Sequence, residues 1–360
     1  MIDSVDFERL RRIGLTPILV QKSIGLLQAQ PTCALMRVIE VQRESLLLHD
    51  GDREHAARLL PSVRTQLGEL GNALAVGDWV LAAGNAHGQC WVHACVPPTT
   101  QLARRLHDGR DKVSRTVIVS NVDTALLVMG LDQDFNPRRL ERYLAMVHMA
   151  GVAAVVVLTK RDLCDQVDDK VAQVQAVLPA GMAAVAVDAL GLEPAQRLEP
   201  WLSPGQTLVL LGSSGAGKST LTNTLCGTAV ADTGANRAGD SRGRHTTTVR
   251  TLHIASTGAC VIDTPGLRTL RLDGDLAALD TAFDDIARLA EDCRFRDCQH
   301  AAEPGCAVRA AVGPERLRNY QKLLREARRD TLTAVERKTQ VAEWKARTRQ
   351  GRLRAETKRG

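Results

Sequence analysis

The chain has 360 residues, 44% of them apolar, and a net charge of +6. That length is more than one domain needs, and that composition buries a sizeable core, so a disordered or fibrous chain is excluded. The longest apolar run, Val152 to Leu158, is of strand length, the acidic start MIDSVDFERL is no secretion signal, and nine cysteines without such a signal argue for a reducing cytoplasm over a disulfide framework.

Residues 1–33 are mixed and weakly patterned, an N-terminal extension. From 34 to about 100, the short apolar runs LMRVIEV, ESLLLHD, GDWVLAA and CWVHACV alternate with Gly, Asp and Asn. This spacing predicts a small antiparallel β domain, with a barrel as one possible closure. Pro97-Pro98 breaks the pattern. Residues 101–115 then read as a basic linker carrying Arg104, Arg105, Arg110, Lys112 and Arg115. From 116 to 276, strands alternate with helices: VDTALLVM, a helix over 137–149, AAVVVLT, a helix over 168–177, MAAVAV, a strand over 207–211, a helix over 218–226, and strands over 250–254 and 260–262. Alternation of this kind predicts a mostly parallel sheet covered by helices on both faces, with ligands beyond the carboxyl ends of strands. A helical segment over 277–330 follows, then a basic tail over 331–360. Glu315 to Gly360 holds 15 Lys/Arg and 6 Asp/Glu, so the rest of the chain is slightly acidic. The basic end suits a polyanion such as nucleic acid, or is a helix kept soluble by its own charge.

Three motifs stand at predicted strand ends. Gly212-Ser213-Ser214-Gly215-Ala216-Gly217-Lys218-Ser219 follows TLVLL and opens a helix that continues with Thr220, as a phosphate-binding P-loop does. Its glycines let backbone N–H groups approach phosphates, Lys218 would reach the β- and γ-phosphates, and Ser219 would offer its hydroxyl to Mg²⁺. Asp263-Thr264-Pro265-Gly266 begins 51 residues later. Asp263 would serve the Mg²⁺ shell, and the Gly266 N–H would meet the γ-phosphate. Thr159-Lys160-Arg161-Asp162 reads as a guanine element. Asp162 can accept from the guanine N1–H and amino group, a donor pair that adenine lacks, and the Lys160 stem would cover the base. Thr159 stands where Asn is usual. The next strand ends at Asp188-Ala189, where many nucleotide sites have Ser before the Ala whose N–H meets guanine O6.

The guanine element precedes the P-loop by about fifty residues, the reverse of the ordinary order, so the domain is a circularly permuted P-loop GTPase fold. Between the P-loop and Asp263, Gly234 to Thr248 ends in RGRHTTT. This is a candidate switch, with Thr247 the favoured Mg²⁺ ligand and Thr246 second. Leu267 follows Gly266 where many GTPases place a water-orienting Gln. His245 is the nearest polar substitute, and a loop histidine without a role is the other reading. Gly215 replaces the Asn of potassium-dependent P-loops, so no strong monovalent-ion requirement is expected. Cys293, Cys298, His300 and Cys306 form a C-x4-C-x-H-x5-C pattern within fourteen residues. Four such ligands suit a closed, structural Zn²⁺ site with no position left for water.

The order of elements, RGRHTTT, DTPG-Leu, the Cys/His pattern and EPGCAV at Glu303 to Val308 resemble the ribosome small-subunit-dependent GTPase A family (RsgA/YjeQ), over residues 34 to about 330. The resemblance implies a multidomain chain: an N-terminal β-barrel of the OB-fold, a central permuted α/β GTPase domain and a C-terminal α-helical zinc domain. It implies GTP hydrolysis in late maturation of the small ribosomal subunit, stimulated by that subunit, and a catalytic role for His245. Expected partners are the small subunit, its rRNA and GTP/GDP, with no membrane and a monomeric state. An RNA-binding scaffold, or a signalling GTPase whose pocket acts only as a switch, is the alternative; a metabolic P-loop ATPase or kinase is disfavoured by Asp162.

Overall fold

The structure, a computed structural model, describes residues 5–85, 87–107, 113–231, 250–265 and 276–331. The weakly patterned start contains two helices, α1 (Phe7–Arg11) and α2 (Pro17–Ala29). Both begin on side-chain caps: Asp6 accepts from the Arg9 N–H at 3.0 Å, and Thr16 accepts from the Leu19 N–H at 3.4 Å, just ahead of Pro17. Leu10, Ile13, Leu15 and Leu19 pack on Leu35, Trp79 and Val96, so residues 5–33 form a folded arm against the barrel.

The barrel comprises β1 (Ala34–Val41), β2 (Leu46–His49), β3 (Glu54–Leu59), α3 (Pro61–Glu69), β4 (Trp79–Gly84) and β5 (Cys90–Cys95). β1–β2, β2–β3 and β4–β5 pair antiparallel, β3–β5 pair parallel, and β1–β4 close the ring. This is the five-stranded OB arrangement, which removes free strand edges. Met36, Val38, Leu46, Leu48, Val80 and Val92 fill its interior, and Val63 of α3 packs with them.

The described residues of the stretch read as a basic linker are instead antiparallel paired strands, β6 (Gln101–His107) and β7 (Val113–Ser120). Arg110 and Lys112 lie outside the described residues. The nucleotide-fold region follows as β8 (Thr124–Gly130), α4 (Pro137–Met149), β9 (Ala153–Thr159), α5 (Val167–Gln175), β10 (Ala184–Ala186), α6 (Glu193–Arg197), β11 (Thr207–Leu211), α7 (Lys218–Cys226), β12 (Thr251–Ile254) and β13 (Cys260–Asp263). The sheet order is β10-β9-β8-β11-β13-β12, parallel except for β12. Alternate strand residues serve two cores. Leu127, Val156, Val209 and Ile262 pack with Leu140, Leu144 and Val147 of α4. Leu126, Val157, Leu210 and Val261 pack with Leu221 and Leu225 of α7. Burial on both faces is why these strands are apolar throughout.

The barrel pairs with this sheet at Glu40 and Thr251, shares its core through Ile39 packed with Leu252 and Ile262, and meets it at the fully buried Arg37. The Arg37 guanidinium donates to the carbonyls of Ile13 and Asn121 and to Thr207 Oγ1, joining the N-terminal arm, the end of β7 and β11. The last helices, α8 (Leu276–Ala282), α9 (Asp284–Glu291), α10 (Ala307–Ala311) and α11 (Pro314–Thr331), lie on the α4 face. Phe283 meets Tyr320 edge-on at 5.3 Å. Arg316 bridges the buried Glu141 of α4 and Asp285 of α9, so α4 carries the C-terminal helices through ion pairs as well as apolar contact.

Candidate nucleotide site and metal cluster

The P-loop is shaped by what surrounds it. A Cβ on Gly212 would lie 2.3 Å from the Val128 carbonyl oxygen, so only glycine lets β11 turn beside β8. Gly217 sits at φ 87°, the left-handed backbone that starts α7. Ala216 is fully buried, and Ser213, Ser214 and Gly215 form the rim ahead of it. Lys218 is buried, and its ammonium donates to the carbonyls of Gly212 at 3.1 Å and Ser213 at 2.6 Å. The loop thus wraps around its own lysine, with Ser219 and Thr220 in the first turn of α7.

Ser219 Oγ donates to Asp263 Oδ2 at 3.2 Å, which joins the P-loop helix to the end of β13. Asp263 Oδ1 is buried without a hydrogen-bond partner among the described residues. Burial pushes this carboxyl up, against the Lys218 ammonium and the Ser219 hydroxyl. A hydroxyl and an orphaned carboxylate oxygen side by side fit a hard cation such as Mg²⁺. Thr247, Gly266 and His245 lie outside the described residues.

The predicted guanine element, Thr159 to Asp162, begins at the end of β9. Thr159 is fully buried and donates from Oγ1 to the Ala216 carbonyl at 2.6 Å, tying this loop to the P-loop despite the absent Asn. Lys160 adopts φ 60° and pairs with Asp132, leaving Asp162 exposed on the following turn. Burial opposes the Asp132 charge, but the Lys160 ammonium and the Asp134 N–H together outweigh it and hold the carboxyl below its usual range. The Asp188 and Ala189 loop comes alongside: the Arg161 N–H donates to the Val187 carbonyl at 3.4 Å, and Thr224 of α7 donates to the Ala189 carbonyl at 2.6 Å.

Three acidic residues that the motifs did not indicate hold these loops. Glu193 accepts from the Asp188 N–H at 3.1 Å and pairs with Arg161, so it braces both loops predicted to read guanine. Asp132 anchors Lys160. Asp134 accepts from the Ser213 hydroxyl and pairs with Arg139. All three lie outside recognisable spacings, and only the folded sheet brings them to the loops.

Cys293, Cys298, His300 and Cys306 converge, their ligand atoms within 4.8 Å of one another. Cys293 Sγ lies 3.9 Å from Cys306 Sγ, and His300 Nδ1 lies 3.7 Å and 3.4 Å from those sulfurs. A tetrahedron with Zn–S of ~2.3 Å has edges of roughly 3.5–3.8 Å, so the donor set fits zinc. Glu303, absent from the predicted set, accepts from the N–H groups of Gln299, Ala301 and Ala302 and shapes the loop. Its own N–H and those neighbours hold its carboxyl down to about 2.

A family model described as RsgA GTPase matches residues 96–273. A small ribosomal subunit biogenesis GTPase RsgA of Xylella fastidiosa (strain M23) is 46% identical over 297 residues, covering 81% of this chain and 87% of that relative. The chain belongs to the RsgA GTPase family. The RsgA of Xanthomonas axonopodis pv. citri is 42% identical over 332 residues, 90% of each chain. Two solved structures share the fold: YjeQ from Thermotoga maritima, with TM-score 0.58 and 23% identity over 82% of this chain and 98% of that one, and YloQ, a circularly permuted GTPase, with TM-score 0.54 and 21% identity over 84% and 97%. As an RsgA-family member the chain is a GTP hydrolase that uses Mg²⁺ with its nucleotide. No helix among the described residues is long and apolar enough to cross a membrane.

Proposed function

We propose that this protein hydrolyses GTP during late maturation of the small (30S) ribosomal subunit, in the cytoplasm, as a monomer that the subunit stimulates. The observation that carries the nucleotide half of this reading is the Thr159 to Ala216 bond, which joins a guanine loop to a P-loop in permuted order. The ribosomal half rests on the names of the relatives, which are small ribosomal subunit biogenesis GTPases. A scaffold with a vestigial pocket is disfavoured by the intact Lys218, Ser219 and Asp263 geometry.

In this reading the N–H groups from Gly212 to Thr220 and the Lys218 ammonium hold the phosphates. Asp162 reads the guanine N1–H and amino group, the Lys160 stem covers the base, and the Ala189 N–H, positioned with Asp188, meets O6. Ser219, Thr247 and Asp263 serve the Mg²⁺, which neutralises charge on the β- and γ-phosphates. Gly266 senses the γ-phosphate. His245 orients the attacking water, since Leu267 cannot. Intrinsic turnover is slow, about 10⁻⁴ to 10⁻² per second for GTPases lacking an ordered catalytic set. The Cys293, Cys298, His300 and Cys306 site holds one structural Zn²⁺.

The functional modules are the barrel (34–100), the 101–115 connection, the GTPase domain (116–276), the zinc domain (277–330) and the tail (331–360) beyond the N-terminal residues 1–33. Permutation places Gly266 just ahead of the C-terminal helices, so nucleotide state sets how the RNA-contacting modules are disposed. The GTP form holds pre-mature rRNA and the GDP form releases it.

The deciding experiment compares GTP turnover alone, with isolated small subunits and with large subunits. Stimulation by small subunits only is the expected result; equal turnover in all three would remove the ribosomal assignment. His245→Ala should keep GTP binding and lose the stimulated rate, and unchanged stimulation would end its catalytic role.

A further inference from the structure

A groove of about 750 Å³ opens between the P-loop rim at Ser213 and Ser214 and the first turns of α4 and α11. None of the nucleotide roles above uses its cations. Arg138, Arg139, Arg142, Arg318 and Lys322 line it, against the carboxylates of Asp134 and Glu315. Arg138 and Arg318 both lean on the single Glu315, with side chains 53% and 72% exposed. Two guanidinium groups sharing one carboxylate leave a positive surplus facing solvent. Arg142 is different: it clasps Glu326 of α11 through two bonds, at 2.7 and 3.0 Å, and so fixes the groove's width. The N-termini of α4 and α11 add the positive ends of two helices.

Arg139 links the groove to the nucleotide site. Its guanidinium pairs with Asp134, and the other oxygen of Asp134 accepts from the Ser213 hydroxyl. An anion that draws Arg139 away would change what holds Asp134, and through it the P-loop.

We propose that this groove binds a run of RNA phosphodiesters and that Arg139 reports their arrival to the P-loop through Asp134 and Ser213. This rests on the small-subunit reading above and names the surface through which stimulation would pass. The occupant follows from charge and shape. The groove is larger than one phosphate needs, since cavities of roughly 300–1,000 Å³ hold whole small molecules. Its one aromatic, Tyr143, is buried, so the recognition is of backbone charge and not of stacked bases. An acidic protein segment would meet the same charge, but it is the weaker candidate for a protein whose substrate assembly is RNA-rich.

The test uses the full chain with Arg138, Arg318 and Lys322 all changed to Ala. These exposed positions contribute little to folding, and none belongs to the nucleotide machinery. Binding to isolated small subunits is measured across a salt series, with turnover alongside. Loss of three phosphate contacts should weaken binding at least about tenfold and flatten the log–log salt slope by about 2, at ~0.7 per contact for single strands. Intrinsic turnover should not move. Unchanged affinity and slope in the triple variant, with wild type binding normally, would overturn the groove alone. Wild type that fails to bind small subunits would overturn the functional reading and the groove with it. Weakened binding with an unchanged salt slope would mean a contact other than phosphate, and also overturns the proposal. For the relay, Arg139→Gln releases Asp134 without any anion, so it should bind small subunits within about twofold of wild type, move the intrinsic rate away from the wild-type value, and show several-fold lower stimulation. Full stimulation in Arg139→Gln would refute the relay.

Discussion

Thr159→Val probes the joint between the two halves of the nucleotide site. Thr159 is wholly buried, and its hydroxyl donates to the Ala216 carbonyl at 2.6 Å. Valine keeps the shape, so no cavity forms, but the Ala216 oxygen loses this donor where water does not reach. Leaving a buried acceptor unpaired costs about 1–3 kcal/mol. The free protein can relieve that cost by letting the P-loop swing out to hydrate its carbonyl. The nucleotide must then draw the loop back, so up to the same amount is taken from binding, a roughly 5- to 150-fold weaker affinity. Titration with a fluorescent GDP analogue reads the affinity, and denaturant unfolding reads the stability. Thr159→Ser keeps the hydroxyl and should stay near wild type in both. If Thr159→Val binds GDP within twofold of wild type and unfolds at the same denaturant concentration, the bond does not organise the site.

Asp162→Asn replaces an acceptor pair with an acceptor and a donor, so GTP affinity should fall on the order of a hundredfold. Xanthosine nucleotides, which present a carbonyl in place of the guanine amino group, should gain; competition binding reads both. Cys298→Ser should lower bound zinc, measured by metal analysis of the purified protein, from one per chain to well under one. It should also destabilise α10 and α11 while GDP binding persists, and full zinc retention would show that Cys298 is not a ligand. Burial pushes the Asp78 carboxyl up to about 6, against the Ala75 N–H, Ser120 and the charge of Arg37. The native state therefore holds this proton more tightly than the unfolded chain. The associated stability is present below about pH 4 and is lost as pH rises through about 6. Relative to Asp78→Asn, wild type should lose up to about 3 kcal/mol across that window; unfolding curves that shift in parallel would contradict it.

How far the sequence alone reaches depends on how local each feature is. The helix over 137–149, the strands ending at Thr159 and Leu211, and the helix over 218–226 coincide with α4, β9, β11 and α7. Each carries a strong apolar period or a motif at its boundary. The cap-driven α1 and α2 lack such a period, so the apolar pattern does not reveal them. The β6–β7 pair is hidden because its arginines on paired strands look like a charged connector.

The chain by itself determined the permuted order of the nucleotide motifs and the four-ligand Cys/His set, because each of these is held within a short stretch whose chemistry does not depend on distant partners. Tertiary structure alone decided the parallel β3–β5 pairing that shapes the barrel. It also decided the burial of Arg37 between the arm, β7 and β11, and the placement of Asp132, Asp134 and Glu193 at the nucleotide loops. These are contacts between residues far apart in the chain, where the partner of a charge or the register of a strand is set by which surfaces pack together. No spacing in the sequence encodes that choice.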